Sequence, residues 1–268
     1  MAFYTTLSAS IVAPATKTKN PDGVDIFEVK GICAPNTSNS GIPVLMHVDA
    51  DSGHGQFLKA LSDKTAEGAS IRVLVTGLMN PVLAMKNDET KEITKPPKVI
   101  VYVGAARRLR ADSRVDPEQA IVFGSGFARP SFDYEDKTKR KPEIFVQAGT
   151  ESLEEAGKYA SSLHILGDSA TKTDQFCMDV DEGREVYFMA HLIRSNGTMG
   201  DVQYDKLKAT ATKIDETDRV RSRKGGGRAK PVSMNTQLSD SFEESESEAQ
   251  VMSSEDLCKK ASVALSDF

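Results

Sequence analysis

REVYFMAHLIRSNGTMGDVQYDKLKATATKI, residues 184–214, decides the fold class. Its opening REVYFMAHLI is rich in β-branched and aromatic residues, and the closing VQYDKLKATATKI alternates apolar with polar side chains, the period of a strand with one buried face. NGTMGD, residues 196–201, supplies a turn between them, so the whole stretch predicts a long β-hairpin. Working outward, the same composition recurs in YTTLSASIVA (4–13), VDIFEVKGI (24–32), SIRVLVTGL (70–78), KVIVYVGAARRL (98–109) and QAIVFGSGF (119–127), with Gly, Pro, Asn and Asp at the boundaries. Two short helices are expected, over GQFLKALSDK (55–64) and ESLEEAGKYASSL (151–163), where apolar residues fall at near-helical spacing. Many strands, few helices and no βαβ rhythm predict a mainly β chain, a barrel or a sandwich. No internal repeat is visible.

At 268 residues and 39% hydrophobic, the chain can bury a sizeable core. Its longest apolar runs are too short to span a bilayer and MAFYTTLSAS lacks the features of a signal peptide, so a cytoplasmic protein without a membrane partner is expected. Cys33, Cys177 and Cys258 are too widely spaced to propose a disulfide framework or a zinc site, and no cofactor is called for. The net charge of −5 conceals a split. From Thr236 onward eight acidic residues face only Lys259 and Lys260, which leaves residues 1–235 with 32 basic and 31 acidic side chains. A polyanion is therefore a reasonable partner for the body.

After Ile214 the composition changes. Residues 215–231 gather Arg219, Arg221, Arg223, Lys224, Arg228 and Lys230 around three glycines, a flexible basic linker able to touch phosphates without reading sequence. SDSFEESESEAQ, residues 239–250, is acidic and of low complexity, and predicts a disordered tail over 232–268. The chain then closes on ASVALSDF, where Val263, Leu265, Asp267 and Phe268 have nothing of their own to pack against and suit capture by a partner protein.

This ending resembles that of single-stranded DNA-binding proteins of the bacterial and phage OB-fold type, whose acidic tails finish in a similar apolar-acidic tip; Asp267 and Phe268 are the matching positions. No proline precedes Phe268, serines dilute the acids, and two lysines interrupt them. The resemblance, closest in kind to the phage proteins, implies an OB-fold β-barrel body over 1–214. It implies a non-enzymatic role in coating single-stranded DNA during replication, recombination and repair. The tail would then recruit replication, recombination or transcription proteins, in the host cytoplasm if the chain is viral.

Two stretches of the body mix the cations and rings that such binding needs. In VIVYVGAARRLRADSR, Tyr102 precedes Arg107, Arg108 and Arg110. In FGSGFARPSFDYEDKTKRK, Arg129, Phe132, Tyr134, Lys137, Lys139, Arg140 and Lys141 interleave, with Phe132 and Tyr134 expected exposed and Phe123 and Phe127 expected in the core. Two rival readings stand beside this one. One is a structural or adaptor protein docking partners through its tail. The other is a metal-dependent nuclease or transferase at HVDADSGHG, using His47, Asp49, Asp51 and His54, although Asp51 and Ser52 also sit where a helix cap is needed.

Overall fold

The computed structural model describes residues 3–35, 40–87, 89–90, 92–110, 120–148 and 162–220, the last three of these by backbone alone. Among the described residues thirteen strands follow one another: β1 (Phe3–Ile11), β2 (Thr16–Lys19), β3 (Asp25–Cys33), β4 (Ile42–Asp49), β5 (Ile71–Val82), β6 (Met85–Lys86), β7 (Ile93–Lys95), β8 (Lys98–Arg108), β9 (Ala120–Phe132), β10 (Arg140–Gln147), β11 (Ser162–Leu166), β12 (Arg184–Met199) and β13 (Val202–Val220). Helix α1 (Gly53–Asp63) lies between β4 and β5, and α2 (Thr173–Asp179) between β11 and β12.

The pairings close two rings. In the first, β1 pairs with β3, β3 with β4, β4 in parallel with β8, β8 with β5, and β5 with β1. In the second, β9 pairs with β10, β10 with β11, β11 in parallel with β13, β13 with β12, and β12 with β9. Numbering each ring's strands one to five gives the same order, 1-2-3-5-4-1, with a helix after the third strand. This is an OB-fold written twice. The repeat that the sequence does not reveal is therefore one of topology, and the body read as a single unit holds two barrels. Strands β1 and β9, the first of each ring, pair antiparallel from Phe3↔Gly124 to Leu7↔Ala120 and join the barrels through one continuous sheet.

Burial follows the pleat. β4, which reads as nearly uninterrupted apolar sequence, still alternates buried and half-buried residues, sending Val44, Met46 and Val48 inward. Leu7, Val29, Met46, Leu58, Val73 and Val101 fill one barrel, and Val122, Ile144, Val146, Ile165, Leu192 and Ala209 belong to the other. Leu58 and Leu61 of α1 join this core, as Cys177 of α2 does; burial pushes the Cys177 thiol up to about 12, so it packs as a small hydrophobe. Ser52 caps α1, its Oγ accepting from Gly55 N at 2.9 Å. Gly77 is required where β5 passes β8, because a side chain there would strike the carbonyl of Tyr102.

The structure corrects two sequence expectations. Ser162 and Leu163, placed at the end of the 151–163 helix, belong to β11, and the rest of that helix lies outside the described residues. The fold runs past Ile214, since Asp215, Glu216 and Val220 pair with Tyr187, Val186 and Arg184. The hairpin over 184–214 is thus present and longer than expected. Among the described residues, no helix is long and apolar enough to cross a membrane.

Candidate nucleic-acid interface

On the second barrel, Arg129 projects outward because Ala128 and Pro130 on either side of it are buried. Opposite it on β10 stands Phe145, then His164 on β11, then Lys208 on β13, so one cross-strand row spans the outer face of four strands. Its side chains meet: the Arg129 guanidinium lies 6.0 Å from the Phe145 ring centre, and that ring stacks on the His164 imidazole at 4.4 Å and 19°. Beside the row opens a recess of about 460 Å³ lined by Arg129, Ser131, Phe132, Phe145 and Glu182, with Arg140 at its edge. A planar ring can stack here beside a cation.

The β9–β10 turn follows Phe132 at the end of β9. Asp133 accepts the backbone N–H groups of Glu135 and Asp136, and Asp136 accepts both the N–H and the hydroxyl of Thr138. These bonds hold both carboxyls below their usual range and commit them to building the turn. Tyr134 is left 91% exposed, as expected, and Phe132 also faces solvent. Lys137 and Lys139 are exposed and form no ion pair among the described residues. Their neighbours differ. Lys141 lies 3.9 Å from Asp133, and Arg140 turns inward, donating through Nη1 to the carbonyls of Met178 and Val180 at 2.7 and 2.9 Å. Arg140 thereby ties β10 to the end of α2 while still bordering the recess.

His164 Nε2 lies 2.9 Å from Glu143 Oε2 without closing a hydrogen bond, while Lys208 Nζ sits 3.7 Å from the same oxygen. Burial, then the charge of Lys208, holds the imidazole down to about 4 against the pull of Glu143; Lys206 adds to the depression. The folded protein resists this protonation and the unfolded chain does not. Stability is therefore full above the ordinary histidine value of 6.5 and falls as the pH drops toward about 4. The loss should be on the order of 2 kcal/mol. Urea midpoints of wild type and His164→Gln across that window check it, since the variant should lack this part of the decline.

The first barrel carries a separate basic feature. Arg107, Arg108 and Arg110 gather where β8 ends, and with Arg72, Ser70, His54 and Phe57 they line a cleft of about 1240 Å³. None of the four guanidinium groups has an ion-pair partner among the described residues. The cleft thus concentrates positive charge beside the start of α1, whose first turn carries no acid. Tyr102 lies earlier on β8 and is not part of it. That ring faces solvent beside His47, edge to face at 5.6 Å, and belongs to a row that sequence reading missed.

The row is set by register. Tyr102 lies opposite Leu78, Leu78 opposite Tyr4, Tyr4 opposite Phe123, and Phe123 opposite Met189. These five side chains are between 41% and 46% exposed, so Phe123 is not the core residue expected of it. It stacks on Tyr4 at 5.6 Å and 12°, while Phe127 is half-buried. Local sequence gives no sign of either row, because each consists of residues far apart in the chain.

The metal reading finds no geometry. Ser52 caps the helix, Asp49 Oδ1 accepts the Asp51 N–H at 2.8 Å, His47 lies 3.6 Å from Glu28, and His54 lines the arginine cleft. Among the described residues no three His, Cys, Asp or Glu side chains are grouped to hold an ion. Arg221, Arg223, Lys224 and Arg228 of the linker, and Val263, Leu265, Asp267 and Phe268 of the tip, lie outside the described residues.

No protein-family model matches the sequence, and no curated protein matches it. Among solved structures, the wild-type single-stranded DNA-binding protein from Thermus aquaticus is 12% identical, with 84% of this chain and 97% of that one covered at a TM-score of 0.49. A deletion mutant of the same protein is 9% identical, covering 83% and 97% at 0.47. The small single-stranded DNA-binding protein from Streptomyces coelicolor is 7% identical, covering 42% and 98% at 0.29. All three are bacterial proteins, and none is from a phage.

Proposed function

We propose that this chain binds single-stranded DNA without sequence preference and without catalysis. The observation that carries the reading is the Arg129–Phe145–His164 stack on the outer face of the second barrel, beside Phe132. The face of the second and third strands is where OB-folds take oligonucleotides. Rings that accept any base, set among cations without acidic partners, are what binding to single strands requires. Bases stack on Phe145, Phe132 and Tyr134, and on Tyr102 where the first barrel's outer face begins. Arg129, Lys137 and Lys139 neutralise phosphates on the second barrel, and Arg107, Arg108 and Arg110 do so on the first.

In the same proposal the linker arginines add sequence-blind phosphate contacts, and the acidic tail occupies the basic surface until DNA displaces it. Displacement leaves Phe268 free for replication, recombination or repair proteins in the cytoplasm. The composition of residues 236–268 supports this part of the reading. One experiment tests both halves. Mobility shifts on oligo-dT at two salt concentrations should show binding that weakens steeply with salt, and deletion of 236–268 should tighten it most at low salt. Absence of salt-sensitive binding sinks the DNA reading and favours an adaptor role. Unchanged affinity on deletion removes the competition alone.

A further inference from the structure

Among the residues lining the recess beside Arg129, one is out of keeping with a face for phosphates. Glu182 is exposed there, and its carboxylate has no hydrogen-bond or ion-pair partner among the described residues. The neighbouring acids are engaged: Glu143 takes Lys208 and the Ser131 hydroxyl, and Asp181 lies 3.8 Å from Arg140. Arg140 also gives Nη1 to the Met178 and Val180 carbonyls. Glu182 and Arg129 therefore line one recess without pairing with each other. The backbone fixes both places. Residues 181–184 read DEGR and form a tight turn, closed by the Arg184 N–H donating to the Asp181 carbonyl at 3.3 Å. Gly183, at φ +83°, takes the left-handed position of that turn, and its N–H donates to the Ala128 carbonyl at 2.8 Å, the residue before Arg129. The Arg129 guanidinium, in turn, lies over the Phe145 ring, 6.0 Å from its centre. The fold thus holds a carboxylate and a guanidinium apart across a recess open to a planar ligand.

We infer that this recess takes a guanine base of the bound strand, Glu182 accepting from its N1–H and exocyclic amine while Arg129 donates to O6 and N7. The inference rests on the single-strand reading and adds to it a preference at one nucleotide. A carboxylate repels phosphates, so it can favour binding only through donors on a base. Guanine is the one base of the four with two adjacent donors for a carboxylate and, on the neighbouring edge, two acceptors for a guanidinium fork. Adenine and cytosine offer the carboxylate a single amine, and thymine a single N–H. Phe132 supplies a face on which the ring can stack, and about 460 Å³ admits a purine. Arg129 has five donors, so two on the base leave others for phosphate. Every other ring in the interface accepts any base, so a strand is still coated whatever its sequence.

Base substitution in a single strand tests it on the full chain. Oligo-dT of about 15 nucleotides carrying one central dG should bind about tenfold tighter than the same strand carrying dA, a purine that also stacks but lacks the paired donors. Deoxyinosine, which lacks the exocyclic amine, and 7-deazaguanine, which lacks N7, should each lose most of that gain with the wild-type protein. Glu182→Gln should bring dG to within about threefold of dA, because the amide sets a donor where the carboxylate set a second acceptor. Discrimination is a ratio taken within one protein, so a general change in affinity does not imitate it. Circular dichroism identifies a folded variant, and if Glu182→Gln does not fold the base analogues decide alone. Equal binding of the dG and dA strands overturns the inference and leaves the proposed function standing. So does a gain that deoxyinosine, or a folded Glu182→Gln, retains in full. Failure of every oligomer to bind, oligo-dT included, removes both.

Discussion

Replacing Arg194 with alanine should cost about 3–5 kcal/mol of folding stability. The guanidinium holds Asp205 on the facing strand through two parallel bonds, Nε to Oδ1 at 2.9 Å and Nη2 to Oδ2 at 2.7 Å. Its remaining arm donates to the Gly41 carbonyl at 2.6 Å, just before β4 of the first barrel. One side chain thus ties the β12–β13 hairpin both to itself and to the other barrel. Asp205 is 8% exposed, so removing the arginine strands a carboxylate where water cannot reach it well. Equilibrium urea denaturation measures the loss. Replacing both partners with apolar residues of similar size should recover much of it, because no charge is then left without its mate. A loss under about 1 kcal/mol for Arg194→Ala would place this pair among surface ion pairs of little consequence.

Neither role of Arg194 is visible in its own neighbourhood of sequence, and the same holds for much of the interface. Strand character was legible where β-branched residues cluster or alternate, as in Arg184–Ile193 and Lys98–Leu109, and helix α1 was legible from its spacing. What sequence could not supply is register. Phe145 sits on a strand that opens with Arg140 and Lys141, and its value as a stacking ring depends on Arg129 and His164, residues brought opposite it by two different pairings. Phe123 illustrates the converse. An aromatic residue on a central strand reads as core, yet strand parity turns it to the outer face where Tyr4 meets it. Arg140 stands among basic neighbours in the sequence, and only the position of the Met178 and Val180 carbonyls shows that its guanidinium also ties β10 to the end of α2. The doubled barrel escaped for a related reason. An OB ring is defined by which strands pair, and sequences that share no residue pattern can close in the same order.

Arg107→Ala, Arg108→Ala and Arg110→Ala together should weaken oligo-dT binding about 10²-fold at 0.1 M salt, the second large effect. On single strands each neutralised phosphate contributes roughly 0.7 to the slope of log affinity against log salt, so three lost contacts flatten it by about 2. Over the tenfold span from 1 M to 0.1 M salt, a slope smaller by 2 is a hundredfold in affinity. Folding should be almost unaffected, because the three side chains are exposed and make no ion pair among the described residues. Leu109 between them is buried and stays in place. The slope carries the diagnosis better than the affinity does. A variant that binds weakly with an unchanged slope has lost something other than phosphate contacts, whereas one with both slope and affinity unchanged shows that the arginine cleft lies off the path of the strand. In that second case the second barrel binds alone, and Arg129→Ala with Phe145→Ala becomes the pair of substitutions that removes binding.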